Sequence, residues 1–223
     1  MITVHHLENS RSQRVLWLLE ELGVPYEVKR YARNPVTLLA PPELKAVHPL
    51  GKSPVISDDG QVIAETGAIM DYLVDRYGGG RLAPVRDSQE RLRYNYWMHY
   101  AEGSIMPLLV MKLIFSRLSK APVPALIRPI GGLLANGVNA NFIGPNLTTH
   151  LDFIEAELTR QRWFAGKDFS AADIQMSFPL EAASARGGAD VGYPKIAAFL
   201  KTIHAMPGYE RALTKGGPYK LMS

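Results

Sequence analysis

The sequence predicts a chain of two units, a mixed α/β unit followed by an all-helical one. Three observations predict it. Strand and helix patterns alternate as far as Tyr77; a Gly78-Gly79-Gly80 run with Pro84 nearby breaks all periodicity; and every long segment beyond repeats its apolar residues at helical spacing.

Ile2 to Leu7 reads as a short strand. Ser10 to Leu22 carries Val15, Leu16, Leu18, Leu19 and Leu22 at helical spacing, and Gly23 ends it as a C-cap. Pro25 to Tyr31 alternates apolar and charged residues, so the first three elements form a βαβ unit able to pair in parallel. A short helix starts at Pro41-Pro42-Glu43 and breaks at His48-Pro49-Leu50-Gly51. Strands around Val55-Ile56 and Val62-Ile63 flank Asp58-Asp59-Gly60, a hairpin turn signal. Glu65 to Tyr77 closes the unit as a helix, with Ile69, Tyr72, Leu73 and Tyr77 on one side. These patterns divide the chain into residues 1–79, a linker over 80–88, and a helical unit over 89–223. Within the helical unit the pattern gives helices over about Ser88–Leu118, Ala121–Phe142, Leu147–Gln161, Ser170–Ala185 and Pro194–Ala205. Ser170 and Asp173 form a capping box ahead of an apolar run.

At 223 residues and 47% hydrophobic content, the chain has ample material for such cores. Its 25 Lys+Arg against 21 Asp+Glu give a formal charge of +4, with no basic run of the kind a nucleic-acid arm carries. Small anionic ligands are the better expectation. No stretch has the length of a signal sequence or a membrane span, so a cytoplasmic protein with no membrane partner is expected. The chain has no cysteine, which excludes disulfides, thiolate metal sites and dithiol redox chemistry. A thiol, if one reacts here, arrives with a ligand. His5-His6 lies in a strand, where neighbouring side chains point to opposite faces, so no metal site is expected.

Three segments add chemistry. Asn9 to Trp17 turns the first strand into the first helix; His48-Pro49-Leu50-Gly51-Lys52-Ser53-Pro54-Val55 precedes the hairpin; Glu65-Thr66-Gly67-Ala68-Ile69 opens the third helix. In this order they resemble the cytosolic glutathione S-transferase superfamily, and most closely its bacterial and yeast-type members with an Asn/His-Ser-Arg turn. The second segment is similar to that family's N-P-x-G-K-x-P stretch and the third to its E-S-x-A-I stretch.

The resemblance implies a thioredoxin-like N-terminal domain, βαβ-ββα with a mixed four-stranded sheet, and an all-α C-terminal bundle. It implies glutathione as co-substrate, a homodimer, and conjugation of the thiol to a hydrophobic electrophile or reduction of a peroxide in detoxification. The alternative is a transferase-like binding or interaction module without catalysis. By the same resemblance Pro54 is a cis-proline, Ser53 pairs its backbone with the cysteinyl residue, and Lys52 meets the glycyl carboxylate. Glu65 takes the γ-glutamyl ammonium and Thr66 its carboxylate at a helix start. Ser10 is the expected hydroxyl donor to the thiolate, Asn9 the alternative donor, and Arg11 an added positive charge.

Overall fold

The computed structural model of the chain describes residues 1–35, 37, 39–187, 192–217 and 219–221. Residues 188–191, 218, 222 and 223 of the expected helical unit lie outside the described residues. The first unit runs β1 (Ile2–Leu7), α1 (Ser12–Leu22), β2 (Tyr26–Tyr31), α2 (Glu43–Val47), β3 (Val55–Asp58), β4 (Gln61–Ala64) and α3 (Thr66–Tyr77). Its strands stand in the order β2-β1-β3-β4; β1 is parallel to β2 and antiparallel to β3, and β3 is antiparallel to β4. This is the mixed four-stranded sheet expected. The helical crossover makes the first pair parallel, and the two-residue turn makes the last pair antiparallel. In that turn Asp59 and Gly60 have φ of 47° and 82°, the signature of a type I′ hairpin.

The helical unit comprises α4 (Gln89–Tyr100), α5 (Met106–Ser116), α6 (Arg128–Val138), α7 (Gly144–Arg160), α8 (Ala171–Gly187), α9 (Pro194–His204) and α10 (Pro207–Gly216). The long helix expected over Ser88–Leu118 is interrupted by a π turn at Ala101–Ile105, and a second π turn at Asn139–Ile143 joins α6 to α7. Each lies just ahead of a proline, Pro107 or Pro145, in the first turn of the next helix. A proline has no N–H for the carbonyl four residues back, and its ring crowds that carbonyl, so the helix widens there instead of breaking. The Ala121–Phe142 helix narrows to α6, preceded by a 3-10 turn at Ala125–Ile127.

α10 had no counterpart among the expected helices. It is short and contacts α1 through glycine: a Cβ on Gly216 would fall 2.5 Å from Gln13 Oε1, and one on Gly208 2.1 Å from Glu21 Oε1. Its buried residues Gly208, Tyr209, Ala212 and Gly216 recur at helical spacing, and the Tyr209 ring packs edge-on against Trp17 of α1.

α8 is the central helix. Ile174, Met176, Leu180 and Ala182 are buried, and so are Asp173, Gln175, Ser177 and Glu181. At its start the Asp173 carboxylate accepts the Ser170 N–H at 2.8 Å, the Ser170 hydroxyl at 3.0 Å and the Phe164 N–H at 2.8 Å. Asp173 reaches back as the capping box requires, while the Ser170 hydroxyl donates to the carboxylate. One continuous apolar core joins β1, α1 and α3 to α4, α8 and α9, with Trp17 and Trp97 fully buried in it.

Candidate active site

The site is built where three loops of the sheet meet the first π turn. β1 pairs His5 with Val55, and the same register carried outward places Leu7 opposite Ser53. There the Ser53 hydroxyl takes the place of the strand backbone, donating to the His5 carbonyl at 2.9 Å and accepting the Leu7 N–H at 3.2 Å. The Ser53–Pro54 bond is cis. At the start of α3, Glu65 has φ 71° and ψ 125°, a conformation that costs a non-glycine residue on the order of 1–3 kcal/mol and is concentrated at ligand sites. Glu65 is exposed and Thr66 is buried.

A cleft of about 350 Å³ opens between these segments. The α2–β3 loop contributes His48, Leu50, Lys52, Ser53 and Pro54; the start of α3 gives Glu65 and Thr66; the turn into α1 gives Arg11; and the π turn gives Glu102. Six of the residues singled out in the sequence, Arg11, Lys52, Ser53, Pro54, Glu65 and Thr66, therefore share one cavity wall.

Below the cleft lies a charge cluster the sequence reading missed. Arg14 is 2% exposed, pairs with Glu102 and donates to Thr66 Oγ1 at 3.4 Å. Its Nη1 donates to the Gln175 carbonyl at 2.6 Å. That carbonyl is free because Pro179, four residues on within α8, has no N–H to bond it. A proline in one unit is thus satisfied by an arginine of the other. Arg11 Nε meets the second Glu102 oxygen at 3.0 Å, and both guanidiniums lie against the Phe178 ring. Burial would raise the Glu102 carboxyl, but Arg14 and Arg11 outweigh it and hold the group below its ordinary range. An arginine within the apolar stripe of α1 was the available signal for this cluster; for Glu102, a lone carboxylate inside a predicted helix, there was none.

Ser10 and Asn9 do not line the cleft. Ser10 is 5% exposed, and its Oγ lies 2.8 Å from Ser12 Oγ. Ser12 Oγ in turn lies 2.8 Å from His6 Nδ1, with the Leu7 carbonyl at 3.3 Å as its other acceptor. Burial, then Arg30, push His6 down to about 4, so it is neutral near pH 7. The Ser10 hydroxyl is thus held in its 2.8 Å bond with Ser12, and its oxygen also accepts the Ser12 N–H at 3.3 Å. The hydroxyl expected to face a ligand is turned inward. Asn9, at φ 50°, accepts the Lys220 N–H at 2.6 Å and ties the chain near its C-terminal end to this loop.

His5 bonds the Tyr31 hydroxyl and Ser57, and His6 bonds Ser12, so each imidazole of the pair has its own partners. Of the aromatic residues on α4, Tyr94, Trp97 and Tyr100 are core, while Tyr96 is 48% exposed.

A mixed βαβ-ββα sheet with a cis-proline loop, sharing a cleft with an all-helical unit, defines the thioredoxin-like transferase architecture. The glutathione S-transferase N-terminal domain matches residues 10–76, and the C-terminal domain of the same family matches residues 145–207. The chain is 38% identical to glutathione S-transferase 3 of Schizosaccharomyces pombe, over 96% of this chain and 88% of that one. It is 33% identical to glutathione S-transferase 1 of Saccharomyces cerevisiae, over 96% and 95%. Among solved structures, a glutathione S-transferase from Actinobacillus pleuropneumoniae superposes with a TM-score of 0.78 at 33% identity, covering 97% of this chain and 93% of that one. The chain belongs to the glutathione S-transferase family and is an enzyme of that kind.

Proposed function

We propose that the cleft binds glutathione and delivers its thiolate to a hydrophobic electrophile or a peroxide. The observation that carries this reading is the convergence of Lys52, Ser53, Glu65, Thr66 and Arg11 on one cavity. Their chemistry matches a tripeptide with two carboxylates and one ammonium. The Ser53 hydroxyl occupies the last rung of the β1 ladder, which favours use of the Ser53 main chain for the cysteinyl backbone, as in strand addition. The start of α3 and the Thr66 hydroxyl take the γ-glutamyl carboxylate, Glu65 takes the ammonium, and Lys52 takes the glycyl carboxylate.

A free thiol titrates near 8.5 and is only a few per cent thiolate at pH 7. Making thiolate the majority form requires about 2.7 kcal/mol of preferential stabilisation, within reach of one or two charge-assisted hydrogen bonds at a helix start. The Asn9 to Ser12 loop is the segment that meets the sulfur in this reading, with Arg11 on the cleft wall and Asn9 and Ser10 shaping the loop from behind. In conjugation the sulfur forms a bond to the electrophilic carbon as the leaving group departs. In peroxide reduction the sulfur takes the terminal oxygen as the O–O bond breaks and the remainder leaves as the alcohol, and the thiol of a second glutathione then closes the disulfide and releases water.

The division into 1–79, 80–88 and 89–223, a homodimeric state and a cytoplasmic location belong to the same reading. Calorimetry with glutathione tests it, on the wild type and on Glu65→Ala. Binding in the micromolar to low millimolar range, weakened at least roughly tenfold in the variant, is expected for loss of a paired ammonium contact. A wild type that binds no glutathione would turn the protein into a transferase-shaped interaction module.

A further inference from the structure

α6 is built inside out. Ile130, Leu133 and Leu134 face solvent, 59, 74 and 59% exposed, and the preceding turn adds Leu126 at 90% and Ile127 at 49%. Spacings of three and four residues put these five on one stripe. The inward side carries Gly131, Gly132 and buried Ala135, and a Cβ on Gly131 would fall 2.3 Å from the Leu118 carbonyl. The helix therefore packs through its small residues and turns its large aliphatic ones outward. Single exposed leucines are ordinary, but a contiguous helical stripe marks a contact surface.

Charge says what kind of contact. From Gly103 to Leu151 the sequence has no Asp or Glu, while Lys112, Arg117, Lys120 and Arg128 lie in that stretch. Those four cations equal the whole formal net charge of +4, so the rest of the chain is balanced. Within the fold α6 packs against α5 and its own flanking turns, which leaves the stripe on an outlying hairpin.

We propose that this hairpin, from the turn after α5 through α6, is a peripheral docking surface for an anionic lipid bilayer. The aliphatic stripe lies in the boundary between headgroups and acyl chains, and the exposed Lys120, on the turn that leads toward α6, meets lipid phosphate and carboxylate groups. Among the described residues no helix is long and apolar enough to cross a membrane, so the contact is adsorption. A second copy docked stripe to stripe would face the same cations across the contact with no carboxylate from this stretch to pair them. A helical peptide needs a groove to enter, whereas this stripe stands on the outside of a helix.

Flotation with large unilamellar vesicles tests the proposal, comparing pure phosphatidylcholine with phosphatidylcholine–phosphatidylserine mixtures. The wild type should float with the mixed vesicles at low salt, and salt should release it as surface charge is screened. The double variant Leu133→Ser, Leu134→Ser should bind at least roughly tenfold less, and Lys120→Glu should also weaken binding. Both alter exposed side chains outside the cleft, so circular dichroism and sedimentation mass should match the wild type. A wild type left at the bottom of the gradient overturns the proposal, as does a double variant that binds equally well. A double variant whose mass falls to that of a smaller assembly also overturns it, because the stripe would then be covered by a second copy.

Discussion

Arg14 shows how much one side chain holds together. It neutralises Glu102 from the π turn, bonds Thr66 at the start of α3 and fills the carbonyl that Pro179 leaves open in α8. Replacing it with leucine leaves a half-buried carboxylate with less compensation and an orphaned carbonyl. We expect Arg14→Leu to cost about 3–5 kcal/mol in urea unfolding, the range for breaking a buried ion pair by removing one partner. Under the proposed glutathione reading, Ser10 has a structural role and Arg11 a catalytic one. Ser10→Ala should cost about 1 kcal/mol of stability, the usual value of a lost intramolecular hydrogen bond, and leave kcat/KM for glutathione conjugation within roughly threefold. Arg11→Ala should lower kcat/KM at least roughly tenfold, as loss of a charge beside the thiolate implies. A hundredfold loss in Ser10→Ala would mean that its hydroxyl leaves Ser12 and turns to the sulfur.

Two elements owe their form to residues that break local rules. The π turn at Ala101–Ile105 arises ahead of Pro107 and places Glu102 on the cleft, so a backbone irregularity supplies the carboxylate that regular helical spacing would have set elsewhere. α8 depends on its start, where one carboxylate gathers three donors from Phe164 and Ser170. Asp173→Ala leaves buried N–H groups without an acceptor and should destabilise the protein by about 2–4 kcal/mol, whereas Ser170→Ala, which removes one donor, should cost about 1 kcal/mol. Thermal unfolding of the two variants checks the ratio. Equal effects would show that the carboxylate is not the organising group.

Across the molecule two buried groups bend stability with pH in opposite senses. His6 titrates at about 4 in the folded chain against 6.5 when exposed, so between these values the unfolded state holds the extra proton and stability falls as pH falls. Burial pushes the Asp173 carboxyl up to about 7, against the pull of its three donors. Between its ordinary 3.8 and 7 the folded state holds the extra proton, and stability falls as pH rises. Urea titrations across the acid range should show His6→Asn gaining on the wild type as pH drops from 6.5 toward 4, by up to about 3 kcal/mol. Asp173→Asn should gain on it as pH rises over the window from about 4 to about 7. A difference that stays flat with pH would show that the group titrates as it does in the unfolded chain.

The sequence alone determined the mixed sheet, the hairpin at Asp59-Gly60 and most of the helices, and its short motifs picked out Lys52, Ser53, Glu65 and Thr66, which line one cleft. These features rest on local signals, since periodicity, turn residues and short motifs act over a few positions. Only the tertiary structure decided that Ser10 faces Ser12, that Glu102 lines the cleft and that Arg14 lies beneath it. Partners 88 and 161 residues from Arg14 are brought to it by packing and leave no periodic trace, and packing likewise sets the close approach of α10 to α1 at Gly208 and Gly216. The stripe on α6 shows the same limit from the other side: its spacing is legible as a helix, but which face meets solvent is set by the close approach of Gly131 to the chain after α5.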